Sequence, residues 1–160
     1  MLFMGSVREN HLLSLSDKWE IFVNIVLIGY HRCGKTSVGQ KLASQLWKTF
    51  VNADNAEQLT PELMGIDDQV ITVGSDVLMH VAARQLIDRA EHTKRIYLQC
   101  EPPQLMRRCE AGGKSSEEVA QIETILAERE PVYLAVADHV LDVTNLDPED
   151  TVRYLIHQFL

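Results

Sequence analysis

Residues 29–36 place a lysine and a threonine directly after a glycine-rich turn, an arrangement that can bind phosphate groups. The segment is Gly-Tyr-His-Arg-Cys-Gly-Lys-Thr and matches the pattern G-x-x-x-x-G-K-[ST]. In this pattern the glycines allow a tight turn whose backbone N–H groups surround phosphate oxygens. Lys35 then reaches the β- and γ-phosphates, and the Thr36 hydroxyl binds Mg²⁺. The residues predicted to hold a nucleoside triphosphate are Gly29, Cys33, Gly34, Lys35, Thr36 and Ser37.

The segments on either side of the loop provide the elements that such a site requires. Residues 23–28 are a short β-branched run, typical of a buried parallel strand. Residues 35–47 place Val38, Leu42 and Leu46 on one face, which predicts a helix packed on a sheet. The N-terminus of that helix adds its positive dipole end at the phosphates. This context favours a phosphate loop over the alternative, a glycine turn that carries a solvated lysine.

The remainder of the chain alternates between strand and helix patterns. Strands are predicted at residues 50–52, 69–73, 95–99 and 139–143. Helices are predicted at residues 77–91, from a capping box at Ser115 and Glu118, and from Asp147-Pro148. The buried face predicted for the first of these helices contains Leu78, Val81, Ala82 and Leu86. This order predicts an α/β fold of the P-loop NTPase type, with three α/β/α layers and a roughly five-stranded parallel sheet.

Composition limits the kind of protein and its partners. The 160 residues are 46% apolar and 24% charged, which favours one globular domain over residues 23–160. Residues 1–22 form an N-terminal extension that fits a short docking helix or a loose segment equally well. The net charge of −8 argues against nucleic acid as a partner. Without an apolar run of about 18 residues, a signal-peptide pattern or paired cysteines, we expect a cytoplasmic protein that does not bind membranes.

From Asn24 onward the chain resembles the shikimate kinases, small P-loop kinases that phosphorylate a hydroxyl of a cyclic carboxylic acid. The similarity is strongest in NIVLIGYHRCGKTSVGQKLASQL and in ILAEREPVYLAVADHVLDVT. The resemblance implies ATP as the phosphoryl donor, Mg²⁺ as the metal and a small hydroxy acid as the acceptor. It implies that Arg129 binds the acceptor carboxylate and that Arg108 lies against adenine. It also implies that Asp54 and Gly74 contact the acceptor, with Asp54 acting in catalysis by orienting its hydroxyl and accepting the proton.

The chain departs from the family pattern mainly around the acceptor. An Asp-x-Asp motif, whose first carboxylate helps hold Mg²⁺, here reads Asn52-Ala53-Asp54. A run of three glycines here reads Gly74-Ser75-Asp76, and Asp76 is a candidate for the missing metal-binding acid. Residues 55–68 contain no arginine and are too few for the family's helical substrate-binding subdomain. In the lid segment EAGGKSSEE, Lys114 is the only cation.

Several residues have alternative roles. Arg129 continues the buried stripe of its helix, so it needs an anionic partner, which is either a ligand or an internal carboxylate such as Asp54. Asp54 and Asp76 could each cap a helix instead. Three functions remain open: a shikimate kinase-type enzyme, a nucleotide-binding regulatory or partner-binding module that has lost turnover, and a P-loop kinase for a different, smaller substrate.

Overall fold

Five parallel strands form the central sheet, in the order β2-β3-β1-β4-β5. The computed structural model describes residues 23–159, and the predicted extension at residues 1–22 lies outside them. The strands are β1 (Asn24–Ile28), β2 (Thr49–Ala53), β3 (Gln69–Val73), β4 (Thr93–Gln99) and β5 (His139–Asp142). β1 and β3 are buried along their whole length, as expected of parallel strands covered on both faces. The predicted α/β fold with a five-stranded parallel sheet is confirmed.

Helices cover both faces of this sheet. They are α1 (Lys35–Leu46), α2 (Pro61–Met64), α3 (Val81–Arg89), α4 (Pro102–Ala111), α5 (Ser116–Ala120), α6 (Ile122–Val136) and α7 (Pro148–Gln158). Helices α1 and α7 pack against each other on one face, and α3 packs with α6 on the other. The Asp147 side chain caps α7 by accepting a hydrogen bond from the Asp150 N–H at 2.7 Å. The last predicted helix therefore begins where the sequence indicates.

Two predicted helices are each divided in the structure. Residues 77–79 form a 3₁₀ turn, and α3 begins only after His80, whose backbone is extended. This break shifts the buried face of α3 to Ala83 and Ile87, and it leaves Val81 56% exposed. The prediction that Val81, Ala82 and Leu86 share the buried face is therefore wrong. The long helix from Ser115 is divided at Gln121 into α5 and α6, although its predicted capping box is present.

The carboxyl ends of three neighbouring strands bring distant parts of the chain together. Gly29 directly follows β1, Asp54 follows β2 and Gly74 follows β3. Because β2, β3 and β1 are adjacent and parallel, their ends lie at one edge of the sheet. In open α/β sheets this edge is where ligands bind.

Candidate active site

The backbone of the turn at residues 29–36 has a positive φ angle at two positions, and only one of them is a glycine. Gly34 has φ +98°, in the left-handed region where a side chain would be strained, and it occupies the N-cap position of α1. Its carbonyl accepts the first hydrogen bond of the helix, from the Val38 N–H at 2.9 Å. Arg32 also has a positive φ of 62°. The loop therefore turns sharply into α1 and directs the N-terminus of that helix at the cleft above it.

Lys35 folds back over this loop. Its ammonium group donates to the Gly29 carbonyl at 2.5 Å and to the Tyr30 carbonyl at 3.0 Å. Burial lowers the pKa of Lys35 from its ordinary value, and Arg129 lowers it further, while Cys33 and Asp54 act in the opposite direction. A half-buried cation whose hydrogen-bond partners in the described part of the chain are two backbone carbonyls is an electrostatic site for an anion.

A cleft of about 850 Å³ opens above the loop. Most of the residues that the sequence predicts to be functional line this cleft: Gly34, Lys35, Thr36, Ser37, Asp54, Gly74, Asp76 and Arg108. Gly29 and Cys33 do not line it. Cys33 is buried in the core beneath the loop, so it shapes the turn from below instead of forming a wall of the cleft.

Gly74 fixes the spacing between the ends of β2 and β3. A Cβ atom at this position would lie 2.2 Å from the Asp54 carbonyl oxygen, which is part of the backbone and cannot move aside. The Gly74 N–H also donates to the Ala53 carbonyl at 2.9 Å. The absence of a side chain at Gly74 therefore lets the Asp54 segment approach the cleft.

The carboxylates of this edge are open to the cleft. Asp54 is exposed, and it does not cap the short 3₁₀ turn at 56–58, whose N-cap is Asn55. Asp76 occupies the N-cap position of the 3₁₀ turn at 77–79, but its side chain makes no capping hydrogen bond there. The helix-cap alternatives for both residues therefore lack a hydrogen bond in the structure.

The residues available for Mg²⁺ are few. The Asn52 side-chain oxygen accepts a hydrogen bond from the Thr72 hydroxyl at 2.8 Å, which ties this amide to β3. Thr36 and Asp76 line the same cleft and offer a hydroxyl and a carboxylate, the oxygen ligands that Mg²⁺ prefers. Within residues 23–159, no three His, Cys, Asp or Glu side chains come close enough together to hold a metal. This donor set fits an ion that takes its remaining ligands from phosphate and water.

Arg108 connects the loop to the segment after β5. Its guanidinium donates to the carbonyls of Arg32 at 3.1 Å, Val143 at 3.4 Å and Thr144 at 3.5 Å. It also borders a pocket of about 250 Å³, whose apolar walls include Val38, Leu146 and Pro148. Leu146 and Pro148 lie more than 100 residues after the loop, so no pattern in the loop indicates that they border the same pocket.

Arg129 lies on the opposite side of the loop, half-buried in a side pocket of about 210 Å³. Its guanidinium donates to the Ser75 hydroxyl at 3.0 Å and lies 5.6 Å from the centre of the Tyr30 ring. No carboxylate among the described residues forms an ion pair with it, so the suggested salt bridge to Asp54 is absent there. The same pocket contains Lys114, which pairs with Glu118 at 3.4 Å.

His31 and Ser75 are functional candidates that the sequence did not single out. The His31 Nε2 atom lies 2.9 Å from the Ser75 hydroxyl oxygen. Burial lowers the pKa of His31 below its ordinary value, and the charges of Lys35, Lys114 and Arg129 lower it further, opposed by Asp76. The two residues are 44 positions apart, so no local pattern could indicate their contact.

The segment between Asp54 and β3 is small. It contains a 3₁₀ turn at Ala56–Gln58 and the four-residue helix α2, and no arginine. It therefore has fewer residues than the substrate-binding helices that the family resemblance implies, and none of residues 55–68 lines the cleft. Elsewhere in the part of the chain that the structure describes, no helix is long and apolar enough to cross a membrane.

Comparison with known proteins gives consistent results. The shikimate kinase family model matches residues 55–160. Shikimate kinase 2 from Sodalis glossinidius (strain morsitans) is 27% identical over 169 residues, covering 84% of this chain and 94% of that protein. Shikimate kinase 2 from Yersinia enterocolitica is 29% identical over 168 residues, covering 83% and 93%.

Solved structures show the same fold. Shikimate kinase from Acinetobacter baumannii in complex with shikimate has a TM-score of 0.74 at 18% identity, covering 89% of this chain and 95% of that one. The family match begins at residue 55, after the phosphate loop, so the loop motif and the matched region lie in different parts of the chain. Together they show that this chain belongs to the shikimate kinase family, whose members are ATP-dependent kinases.

Proposed function

We propose that this protein transfers the γ-phosphoryl group of ATP to a hydroxyl of a small hydroxy acid. The observation that carries this proposal is the convergence of the Lys35 ammonium and the Asp54 carboxylate on one cleft at the ends of adjacent strands. Phosphoryl transfer depends mainly on positioning and charge stabilisation. A cation beside a phosphate loop and a carboxylate open to an acceptor provide both.

The nucleotide is bound by the loop and by α1. When the nucleotide binds, phosphate oxygens replace the Gly29 and Tyr30 carbonyls as hydrogen-bond partners of the Lys35 ammonium. The ammonium then interacts with full negative charges instead of carbonyl dipoles. The backbone around Gly34 and the N-terminus of α1 contribute N–H donors. The pocket beside Arg108, with its apolar walls Leu146 and Pro148, fits the adenine ring.

Thr36 and Asp76 are the residues that would hold Mg²⁺. The metal, when bound, neutralises charge on the phosphate oxygens. Asp76 follows β3 and opens on the cleft, so it offers a carboxylate where Asn52 offers only an amide. Asp54 acts on the acceptor side, where its exposed carboxylate orients the hydroxyl and accepts its proton.

Arg129 binds the acidic group of the acceptor. A half-buried guanidinium without an anionic partner among the described residues favours a ligand anion. Each charge-assisted contact to such an anion contributes on the order of 1.5–3 kcal/mol. Because residues 55–68 provide no second arginine, we expect roughly tenfold to hundredfold weaker binding of shikimate than a two-arginine site would give. We therefore expect shikimate itself to be a poor substrate.

An acceptor screen tests this proposal. ADP formation from Mg²⁺-ATP should rise when one member of a panel of hydroxy acids, shikimate included, is added to the full chain. The variant Asp54→Asn should abolish this rise while leaving nucleotide affinity nearly unchanged, because Asp54 does not contact the phosphates in the proposed arrangement. ADP formation that no acceptor stimulates would contradict the proposal.

A second candidate function is a nucleotide-binding regulatory or partner-binding module that has lost turnover. The short segment at residues 55–68 favours it, because a cleft without closing helices admits water to the γ-phosphate. In that case ATP should bind normally and hydrolyse slowly, and every acceptor should leave the rate unchanged.

A further inference from the structure

Three side chains from separate parts of the chain meet between the cleft and the side pocket. His31 belongs to the phosphate loop, Ser75 follows β3 and Arg129 lies on α6. Ser75 lines the cleft, Arg129 lines the side pocket, and His31 lines both. The Ser75 hydroxyl joins the other two, at 2.9 Å from His31 Nε2 and 3.0 Å from Arg129. These contacts form the wall that separates the two cavities.

The directions of these hydrogen bonds follow from burial. Arg129 can only donate, so the Ser75 oxygen accepts from it. Ser75 is 2% exposed, so its hydroxyl hydrogen cannot reach solvent and needs an acceptor. In the part of the chain that the structure describes, the atom that accepts this hydrogen bond is His31 Nε2. His31 must then be neutral with its proton on Nδ1, in keeping with the three cations around it.

We propose that His31 and Ser75 are positioning residues for Arg129. His31 Nε2 fixes the rotamer of the Ser75 hydroxyl, and the fixed Ser75 oxygen holds the guanidinium in the side pocket, above the Tyr30 ring. This inference rests on the proposed function, in which Arg129 binds the acidic group of the acceptor. It assigns a role to a serine that stands where the family resemblance leads one to expect a glycine.

The backbone of Ser75 is fixed independently of its side chain. The Tyr133 hydroxyl donates to the Ser75 carbonyl, and Tyr133 is fully buried in the core. The serine therefore cannot follow a displaced guanidinium, and its hydroxyl is a fixed partner for Arg129, which the Tyr30 ring and the Tyr133 hydroxyl also contact. Because His31 belongs to the phosphate loop, a rearrangement of the loop reaches Arg129 through two hydrogen bonds. The Tyr30 ring, which also belongs to the loop, lies against the same guanidinium, so the nucleotide site and the acceptor site are linked by both routes.

Nuclear magnetic resonance on the full chain tests this proposal without any ligand, so its result does not depend on whether the protein is a kinase. The guanidinium N–H resonances of Arg129, assigned with the variant Arg129→Lys, should be resolved and protected from exchange in the unaltered protein. The variants Ser75→Ala and His31→Ala should each abolish this protection. Ser75→Thr, which keeps a hydroxyl, should preserve it, and the exposed-residue control Ser116→Ala should have no effect.

The ¹⁵N spectrum of the imidazole gives a second readout. His31 Nε2 should be unprotonated in the free protein, and its resonance should shift in Ser75→Ala, where the hydroxyl donor is missing. An Nε2 atom that carries a proton would overturn the proposal, and so would Arg129 protection that survives both alanine variants. If Ser75→Ala does not fold, His31→Ala alone decides, because His31 is exposed and its loss leaves the core intact.

Discussion

The two sides of the cleft are built in different ways. The nucleotide side is formed mainly by consecutive residues, in which a glycine turn and the first turn of α1 supply backbone donors and Lys35 supplies the charge. The acceptor side combines side chains from β2, β3 and α6 that are separated by tens of residues. A site made from one continuous segment can keep its geometry when the rest of the chain diverges. A site made from several segments changes when any of them is shortened or substituted.

The positions of the substitutions follow this difference. The loop keeps every residue of its motif, whereas the chain around the carboxyl ends of β2 and β3, which faces the metal and the acceptor, has Asn52, Ser75 and Asp76 in place of the residues that the family resemblance implies. The Ser75 hydroxyl contacts both His31 and Arg129, which a glycine at this position could not do. The substitution at residue 75 therefore adds contacts to the acceptor side.

The largest effect should come from Lys35→Ala. The substitution removes a cation that lies over the loop and is half-buried, and a charge-assisted bond of this kind contributes on the order of 1.5–3 kcal/mol. We expect ATP affinity to fall roughly tenfold to hundredfold, measured by calorimetry. The domain should remain folded, because within residues 23–159 the Lys35 ammonium hydrogen-bonds to two loop carbonyls and to no element of the core.

Lys41→Ala is the matched control for this experiment. Lys41 is exposed on the same helix, outside the cleft that contains Lys35. Its removal changes the net charge equally but should leave ATP affinity unchanged. Equal losses in the two variants would show that overall charge, and not the loop, determines binding.

Gly74→Ala should disrupt both sides of the cleft. The added methyl group would lie 2.2 Å from the Asp54 carbonyl oxygen, so β2 and β3 must separate at their ends. Overpacking of this kind typically costs about 1–3 kcal/mol, and a urea denaturation curve measures the change in the free energy of unfolding. In Gly65→Ala the nearest atom, the Pro61 carbonyl oxygen, lies at 3.4 Å, so we expect a much smaller effect. Similar losses in both variants would contradict a special role for Gly74.

The sequence predicted the parts of the fold that depend on local patterns. The strands, the Ser115 capping box and the start of α7 at Asp147 all follow from neighbouring residues. The divided helix after β3 did not, because the extended backbone at His80 shifts the helical phase and no residue type marks that break. In the site, the loop could be predicted because it is continuous. The contact between His31 and Ser75 could not, because it depends on how β1 and β3 align in the sheet.

A smaller effect is expected at the residues proposed for Mg²⁺. Asp76→Asn should weaken Mg²⁺-dependent ATP binding several-fold and leave binding without the metal unchanged, because only the ionised oxygen attracts the ion strongly. Asn52→Asp should have the opposite effect. An aspartate oxygen can still accept the hydrogen bond from the Thr72 hydroxyl, so the strand pair is preserved while a carboxylate is added. Calorimetry with and without Mg²⁺ separates the two contributions, and equal losses in Asp76→Asn under both conditions would remove Asp76 from the metal site.

The smallest effect should come from Arg108→Lys, at a place where the nucleotide side depends on residues far from the loop in sequence. The planar guanidinium contacts carbonyls of both the loop and the segment after β5, and it borders the pocket that fits adenine. Lysine keeps the charge but loses the flat surface and the multiple donors. We expect ATP affinity to fall roughly two- to fivefold, the size of a stacking contribution of about 0.5–1 kcal/mol. Inorganic tripolyphosphate, which has no base, should bind both proteins equally, and Arg107→Lys on the exposed side of α4 should change neither affinity. If Arg108→Lys weakens tripolyphosphate binding as much as ATP binding, Arg108 acts on the loop and not on the base. The nucleotide side would then depend on long-range contacts, as the acceptor side does.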